Sequence, residues 1–366
     1  MSIIDPRVTQ LAEILVDYSM QVKNGDKVYI LSDSVLAGPL FQEVYRLVIQ
    51  RGGDPYPHMA LDPHIGPGAL DRIFMIHAIE EQLRGLSEVT LAEMRAMDCY
   101  IRIGPPEGAT DLTGIDQKRI AMRQKATEAI SEERRKKRWV LTRYPTEALA
   151  ENAGMSLDEY RDFFFGVTNV NYDEMRGEGE RLANVFNQGK VVRIEAPGTD
   201  LTLSIEGRKA MLWYGKKNVP DGEFCFGPVE DSVNGIVKFT YPAIKDGQEV
   251  DGVGLEFKQG VVVQGTAEKN QGMLNAMLDT DQGARRAGEL GFGTNYRITR
   301  FTKNIIFDEK IGGTIHLAVG AGYPESGSKN KSGIHWDMLV DMRPHVGGGR
   351  ILLDGRTVQE NGKFLI

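Results

Sequence analysis

The sequence predicts a two-part chain. An α/β N-terminal domain with a mainly parallel sheet occupies residues 1–188, and an α+β C-terminal domain rich in antiparallel strands occupies 189–366. Two observations carry this. Before residue 188, apolar strands alternate with segments of helical periodicity, the pattern of a parallel sheet with crossover helices. After Gly189, short strands follow one another between Gly, Pro and Asp turns, and only residues 270–286 have strong helical character. A chain of 366 residues is long enough for two such domains.

In chain order, Val8, Leu11, Leu15 and Met20 recur at helical spacing, so residues 6–22 are expected as a helix. Asn24-Gly25 turns the chain into an apolar strand, Lys27 to Leu31. Pro39 to Gln50 reads as a helix closed by Gly52-Gly53, with a short strand at 55–59 beyond it. Helices are expected near 73–83, 90–97 and 117–137, with strands at Cys99 to Ile103 and Trp139 to Thr142. Residues 157–188 read as helix with a break at Thr168-Asn169. In the second half, strands are expected at 191–195, 200–205, 235–241, 260–264, 313–319 and 334–342, with tight turns at Asp354-Gly355 and Asn361-Gly362.

Composition removes several function classes. The net charge is −7, and the run from Glu132 to Arg138 mixes both signs, so no nucleic-acid surface is expected. Two cysteines, Cys99 and Cys225, are too few for a disulfide framework or a thiolate zinc site. No basic leader precedes an apolar stretch at the N-terminus, and no apolar run reaches the ~18 residues of a membrane span. A cytoplasmic protein without membrane or nucleic-acid partners is the expectation. The first half lacks GxGxxG and GxxxxGK[ST], so nucleotide binding has no support there.

Chemistry concentrates in the second half. Of six histidines, none lies in an HExxH helix, so any metal site must be assembled from strands and loops. In Gly313 to Gly320, alternation puts Ile315, Leu317 and Val319 on one face and His316 on the other, among Thr314, Ala318 and Gly320. In His335-Trp-Asp337, nitrogen and oxygen ligands stand side by side at i and i+2, a pairing suited to Zn²⁺, Mn²⁺ or Fe²⁺. Glu223 follows a Pro-Asp-Gly turn and precedes an apolar run. Glu289 lies in a glycine-rich stretch after a helix, where backbone can approach a ligand closely. Taken singly, each histidine is also compatible with a packed side chain and each glutamate with an exposed turn.

The order of these motifs resembles the thermophilic-type metallo-aminopeptidases, the aminopeptidase T, aminopeptidase S and PepS group. The likeness spans most of the chain: Asp98 to Gly104, Gly198 to Leu203, the Asn-x-Pro-x-Gly-Glu stretch ending at Glu223, Gly288 to Asn295 around Glu289, the His316 strand, Gly320 to Pro324 around Tyr323, and His335-Trp-Asp337. The resemblance implies metal ligands at Glu223, Glu289, His316, Tyr323, His335 and Asp337. It implies two divalent ions per subunit (Zn²⁺, Co²⁺, Mn²⁺ or Mg²⁺), with Glu289 as the bridge, a peptide substrate with a free N-terminus, and a homodimer enclosing a chamber. Tyr323 then binds as phenolate or donates to the oxyanion. Phe307-Asp-Glu309 resembles another acidic family element, with Glu309 a ligand or a nearby base, although its spacing to His316 is longer than in the family. The same scaffold resembles ring-opening dioxygenases with one non-heme iron, for which His316, His335 and Asp337 would suffice. That alternative leaves Glu223, Glu289 and Tyr323 without a task. A non-catalytic binding protein is the remaining alternative, and a complete ligand set opposes it.

Overall fold

The computed structural model describes residues 4–59, 67–104, 114–245 and 247–366; His64 lies outside them. By its contacts the chain forms two compact units, Met1–Val170 with Gly215–Val219, and Asn171–Tyr214 with Pro220–Ile366.

In the first unit the described strands form one parallel sheet in the order Asp54–Met59, Lys27–Ser32, Cys99–Ile103, Arg138–Thr142 and Asn218–Val219. Helices cover it, which is why Val28, Ile30, Cys99, Ile101 and Val140 are all fully buried. Helix Gly38–Gln50 starts with Pro39 in its first turn and buries Leu40, Val44, Leu47 and Val48 on one stripe. Helix Leu157–Thr168 begins with a capping box in which Ser156 and Glu159 satisfy each other's backbone N–H. The expected N-terminal helix is α-helical over Pro6–Glu13 and widens to π geometry over Ile14–Ser19. His58 stacks on Tyr29 with ring centroids 4.1 Å apart and pairs with Glu93 at 2.9 Å, so it is a packing residue of this unit.

The second unit holds two large antiparallel sheets. One runs in the order Val261–Thr266, Gly254–Lys258, Asn234–Lys238, Thr199–Ser204, Val191–Ala196, Arg350–Leu353, Arg356–Glu360 and Lys363–Phe364. The other runs in the order His335–Asp341, Thr314–Gly320, Ala287–Gly293, Glu223–Phe226 and Met211–Trp213. The predicted fold class thus holds in both halves. Among the described residues no helix is long and apolar enough to cross a membrane.

Three local expectations differ from the structure. The single helix expected near residues 73–83 is two, Pro67–His77 and Glu80–Arg84. Helix covers only Gln271–Leu278 of residues 270–286. It stops because the Asp281 carboxylate accepts N–H groups from Gly283, Ala284 and Gly333, which folds the chain into turns. The glycine-rich stretch around Glu289 is a fully buried central strand, Ala287–Gly293.

Candidate metal centre

Strand alternation gives the second sheet two chemically opposite faces. One face carries Phe224, Phe226, Leu290, Phe292, Ile315, Leu317, Val319, Trp336, Met338 and Val340 into a continuous apolar core. Phe224 and Phe292 stack there at 4.7 Å. Every second residue therefore turns to the other face: Trp213, Glu223 and Cys225, Glu289 and Gly291, His316 and Ala318, His335 and Asp337. Register completes the assembly, since His316 stands opposite Gly291, Glu289 opposite Ala318, and Asp337 opposite Ala318 on the other side. A bulge between Ala287 and Glu289 sets the phase that turns Glu289 toward this face.

The resulting cluster is tight and buried. His316 Nε2 lies 3.3 Å from Glu289 Oε1 and 3.4 Å from Glu223 Oε2. His335 Nε2 lies 3.2 Å from Asp337 Oδ2 and 3.9 Å from Glu289 Oε2. Glu289 thus stands between two histidines, one facing each of its oxygens. His335 Nδ1 donates to Ala321 O at 2.7 Å; because a carbonyl can only accept, this fixes the tautomer and frees Nε2 as a ligand. Gly291 makes room for the His316 ring, since a Cβ there would stand 1.9 Å from Nε2.

Glu309 also reaches the pocket. Its carboxylate, His316 and Asp337 offer ligand atoms within 4.8 Å of one another, as do Glu223, Glu289 and His316. Tyr323, at the start of a short 3-10 turn, places its ring 5.6 Å from His335 and 5.6 Å from Trp213, so it flanks the cluster. The structure therefore gathers all six sequence-derived ligand candidates and Glu309 in one place. It adds residues that the sequence did not single out: Asp221, Lys310, Cys225 and Trp213. Lys310 is 1% exposed and its Nζ is 2.5 Å from Glu223 and from Glu309. No periodicity marks it, because a lysine after Phe-Asp-Glu reads as a solvated charge.

The electrostatics are those of crowded anions. Burial pushes the Glu223 carboxyl up to about 8 despite Lys310. Burial alone would lower both histidines, but the surrounding carboxylates outweigh it. Glu223, Glu289 and Asp337 lift His316 to about 9, and Asp337 and Glu289 lift His335 to about 10. Burial would raise Asp337, yet His335 holds it well below the usual carboxylate range. Burial and nearby carboxylates push the Tyr323 phenol up. Glu223 Oε2, Glu289 Oε2, Asp337 Oδ1 and His316 Nδ1 are buried without a hydrogen-bond partner among the described residues. Orphaned carboxylate oxygens converging beside two imidazoles are the donor set of a divalent-metal site.

Comparison with known proteins follows the same line. The sequence profile of the thermophilic metalloproteases (M29) matches residues 4–364. Aminopeptidase 2 of Geobacillus stearothermophilus is 28% identical, over 96% of this chain and 94% of its own. Aminopeptidase T of Thermus aquaticus is 34% identical over 48% of this chain and 49% of its own. The structure of AmpT from Thermus thermophilus superposes with a TM-score of 0.83 at 20% identity, covering 99% of each chain. A 2,5-dihydroxypyridine dioxygenase from Pseudomonas putida KT2440 shares the fold more distantly, with a TM-score of 0.60 at 13% identity over 98% of this chain and 96% of its own.

Proposed function

The chain belongs to the thermophilic metalloproteases (M29) and is an aminopeptidase, and we propose that it works with two divalent cations held by Glu223, Glu289, His316, His335 and Asp337. The observation that carries the two-ion reading is Glu289, whose oxygens face His316 on one side and His335 on the other. A carboxylate so placed would be able to hold a cation with each of its oxygens. Zn²⁺, Co²⁺, Mn²⁺ and Mg²⁺ all accept oxygen donors, and the two imidazoles favour the first three. When bound, such a pair lowers the pKa of a shared water, polarises the scissile carbonyl and anchors the substrate's free α-amine.

The chain's own residues do the rest. Glu309, tied through Oε1 to Lys310, takes the proton of the attacking water and returns it to the leaving amine. Tyr323, beside His335, donates to the carbonyl oxygen as it gains charge. The homodimer and the cytoplasmic setting belong to the same reading; the family resemblance supports the first, and two buried free cysteines support the second.

Elemental analysis of protein purified without chelator should find two divalent ions per chain. A peptide with a free N-terminus should be hydrolysed while its N-acetylated counterpart resists. One iron per chain, with no uptake of added Zn²⁺ or Co²⁺, would favour the ring-opening dioxygenase. Equal cleavage of both peptides would exclude exopeptidase action.

A further inference from the structure

The carboxylate pocket contains a cation of its own. Lys310 Nζ sits 2.5 Å from Glu223 Oε1, 2.5 Å from Glu309 Oε1 and 3.8 Å from Asp221 Oδ1, and its side chain is 1% exposed. The backbone holds it there. Asn295 N donates to Lys310 O, and Lys310 N donates to Phe307 O. The Asp308 carboxylate accepts from Thr302 N, Thr302 Oγ1 and Asn304 N, which fixes the loop leading in. Gly293 allows the close pass, since a Cβ there would meet Ile311 O at 2.1 Å and the carbonyl carbon of Lys310 at 3.0 Å.

Its two short contacts divide the work of the acids. One oxygen of Glu223 goes to the ammonium, and the other, Oε2, is left without a hydrogen-bond partner on the His316 side. Glu309 likewise spends Oε1 on Lys310. Five acidic side chains, Asp221, Glu223, Glu289, Glu309 and Asp337, share the pocket with two histidines, and Lys310 is the cation that touches Glu223 and Glu309 directly. Acids crowded into a buried pocket repel one another while divalent ions are absent, and a fixed ammonium between two of them relieves that repulsion.

We propose that Lys310 is a built-in cation of the metal site, a positioning residue that holds Glu223 and Glu309 apart from the other acids in the metal-free enzyme and opposes the incoming ions. This rests on the two-ion reading above. Because the ammonium stabilises the metal-free pocket and repels incoming cations, it favours the metal-free state over the loaded one. Linkage then requires that removing it tighten metal binding by the same factor that it selectively weakens the metal-free fold.

The test is Lys310→Met, which keeps the length and removes the charge. Zn²⁺ is titrated calorimetrically into metal-free wild type and variant, and thermal midpoints are recorded with and without saturating Zn²⁺. The variant should bind Zn²⁺ at least tenfold more tightly, and its metal-free midpoint should fall further than its loaded midpoint. Equal loss of both midpoints with unchanged affinity would reduce Lys310 to a structural ion pair and overturn the proposal, as would weaker binding. Should the single variant not fold, Glu309→Gln with and without Lys310→Met gives the same comparison under the same criteria. A wild-type stoichiometry of one would sink the two-ion reading separately, because the effect of Lys310 is read from the change in affinity.

Discussion

Gly291 decides where the His316 ring can sit. Alanine there would bring a Cβ to 1.9 Å from Nε2, and the paired strands on either side leave the backbone no room to yield. The ring must swing away from Glu289 and Glu223. Gly291→Ala should therefore lower turnover by about 100-fold or more, since displacements of about 1 Å at a reacting site cost that much. Its stability should change by only ~1–3 kcal/mol, the usual cost of overpacking. Turnover and bound metal on the folded variant check this, and normal values for both would place the ring elsewhere. Glu289→Gln should act differently. Under the proposed two-ion site, a neutral amide cannot supply shared negative charge, so at least one ion should be lost and the rate should drop by several orders of magnitude while the fold survives. A variant retaining two ions and near-normal turnover would remove Glu289 from the site. At this scale His316, His335 and Asp337 are legible in the sequence because a period of two assigns their faces directly. Lys310 and Asp221 are not, because what buries them is contributed by segments distant in the chain.

The element that matters most is the one hardest to read. Ala287–Gly293 has four small residues in seven, so its sequence resembles a loop, yet it lies at the centre of the five-stranded sheet. The small residues are what the chemistry requires, because the face they form has to admit imidazole and carboxylate groups from both neighbours. Helical periodicity failed over 270–286 for a related reason: a single Asp281 side chain, by capturing three backbone N–H groups, ends the helix early. The long apolar stripes of the first unit were legible, since burial on a sheet enforces their spacing. The edge strand that carries His335 and Asp337, His335–Asp341, is pinned at its far end. Asp341 is buried and accepts from Arg343 Nε and Nη2, from the Arg343 backbone and from Tyr241 Oη. Burial would raise this carboxyl, but those donors outweigh it and hold it below its ordinary value. A depressed carboxyl stabilises the fold above the unfolded pKa near ~3.9, and that contribution disappears as pH falls through the folded value. Asp341→Asn should thus cost ~3 kcal/mol at neutral pH, the price of breaking a buried pair. The gap to wild type should narrow below about pH 4. Urea unfolding at both pH values measures this, and a gap independent of pH would show that the charge is not responsible.

At the scale of the whole molecule, site and core of the second unit are two sides of one sheet. Metal removal should therefore be felt as lost stability. By mass action, ions present at about 1,000 times their dissociation constant stabilise by ~4 kcal/mol. Chelation should lower the thermal midpoint by several degrees. An unchanged midpoint would mean that the acids are not held in place by metal. The same two-sided sheet also places the chain's tryptophans usefully. Of the three, Trp139 lies on the parallel sheet of the first unit, while Trp213 and Trp336 lie on the sheet that carries the site. Trp336 is on the apolar side, sealed and bonded to Ile244 O, whereas Trp213 is on the other side, bonded to Cys225 Sγ and leaning on Tyr323. An indole's emission follows the polarity of its surroundings. The enzyme accordingly carries two optical probes in one sheet: Trp213 should change colour when a peptide arrives, and Trp336 only when the sheet comes apart.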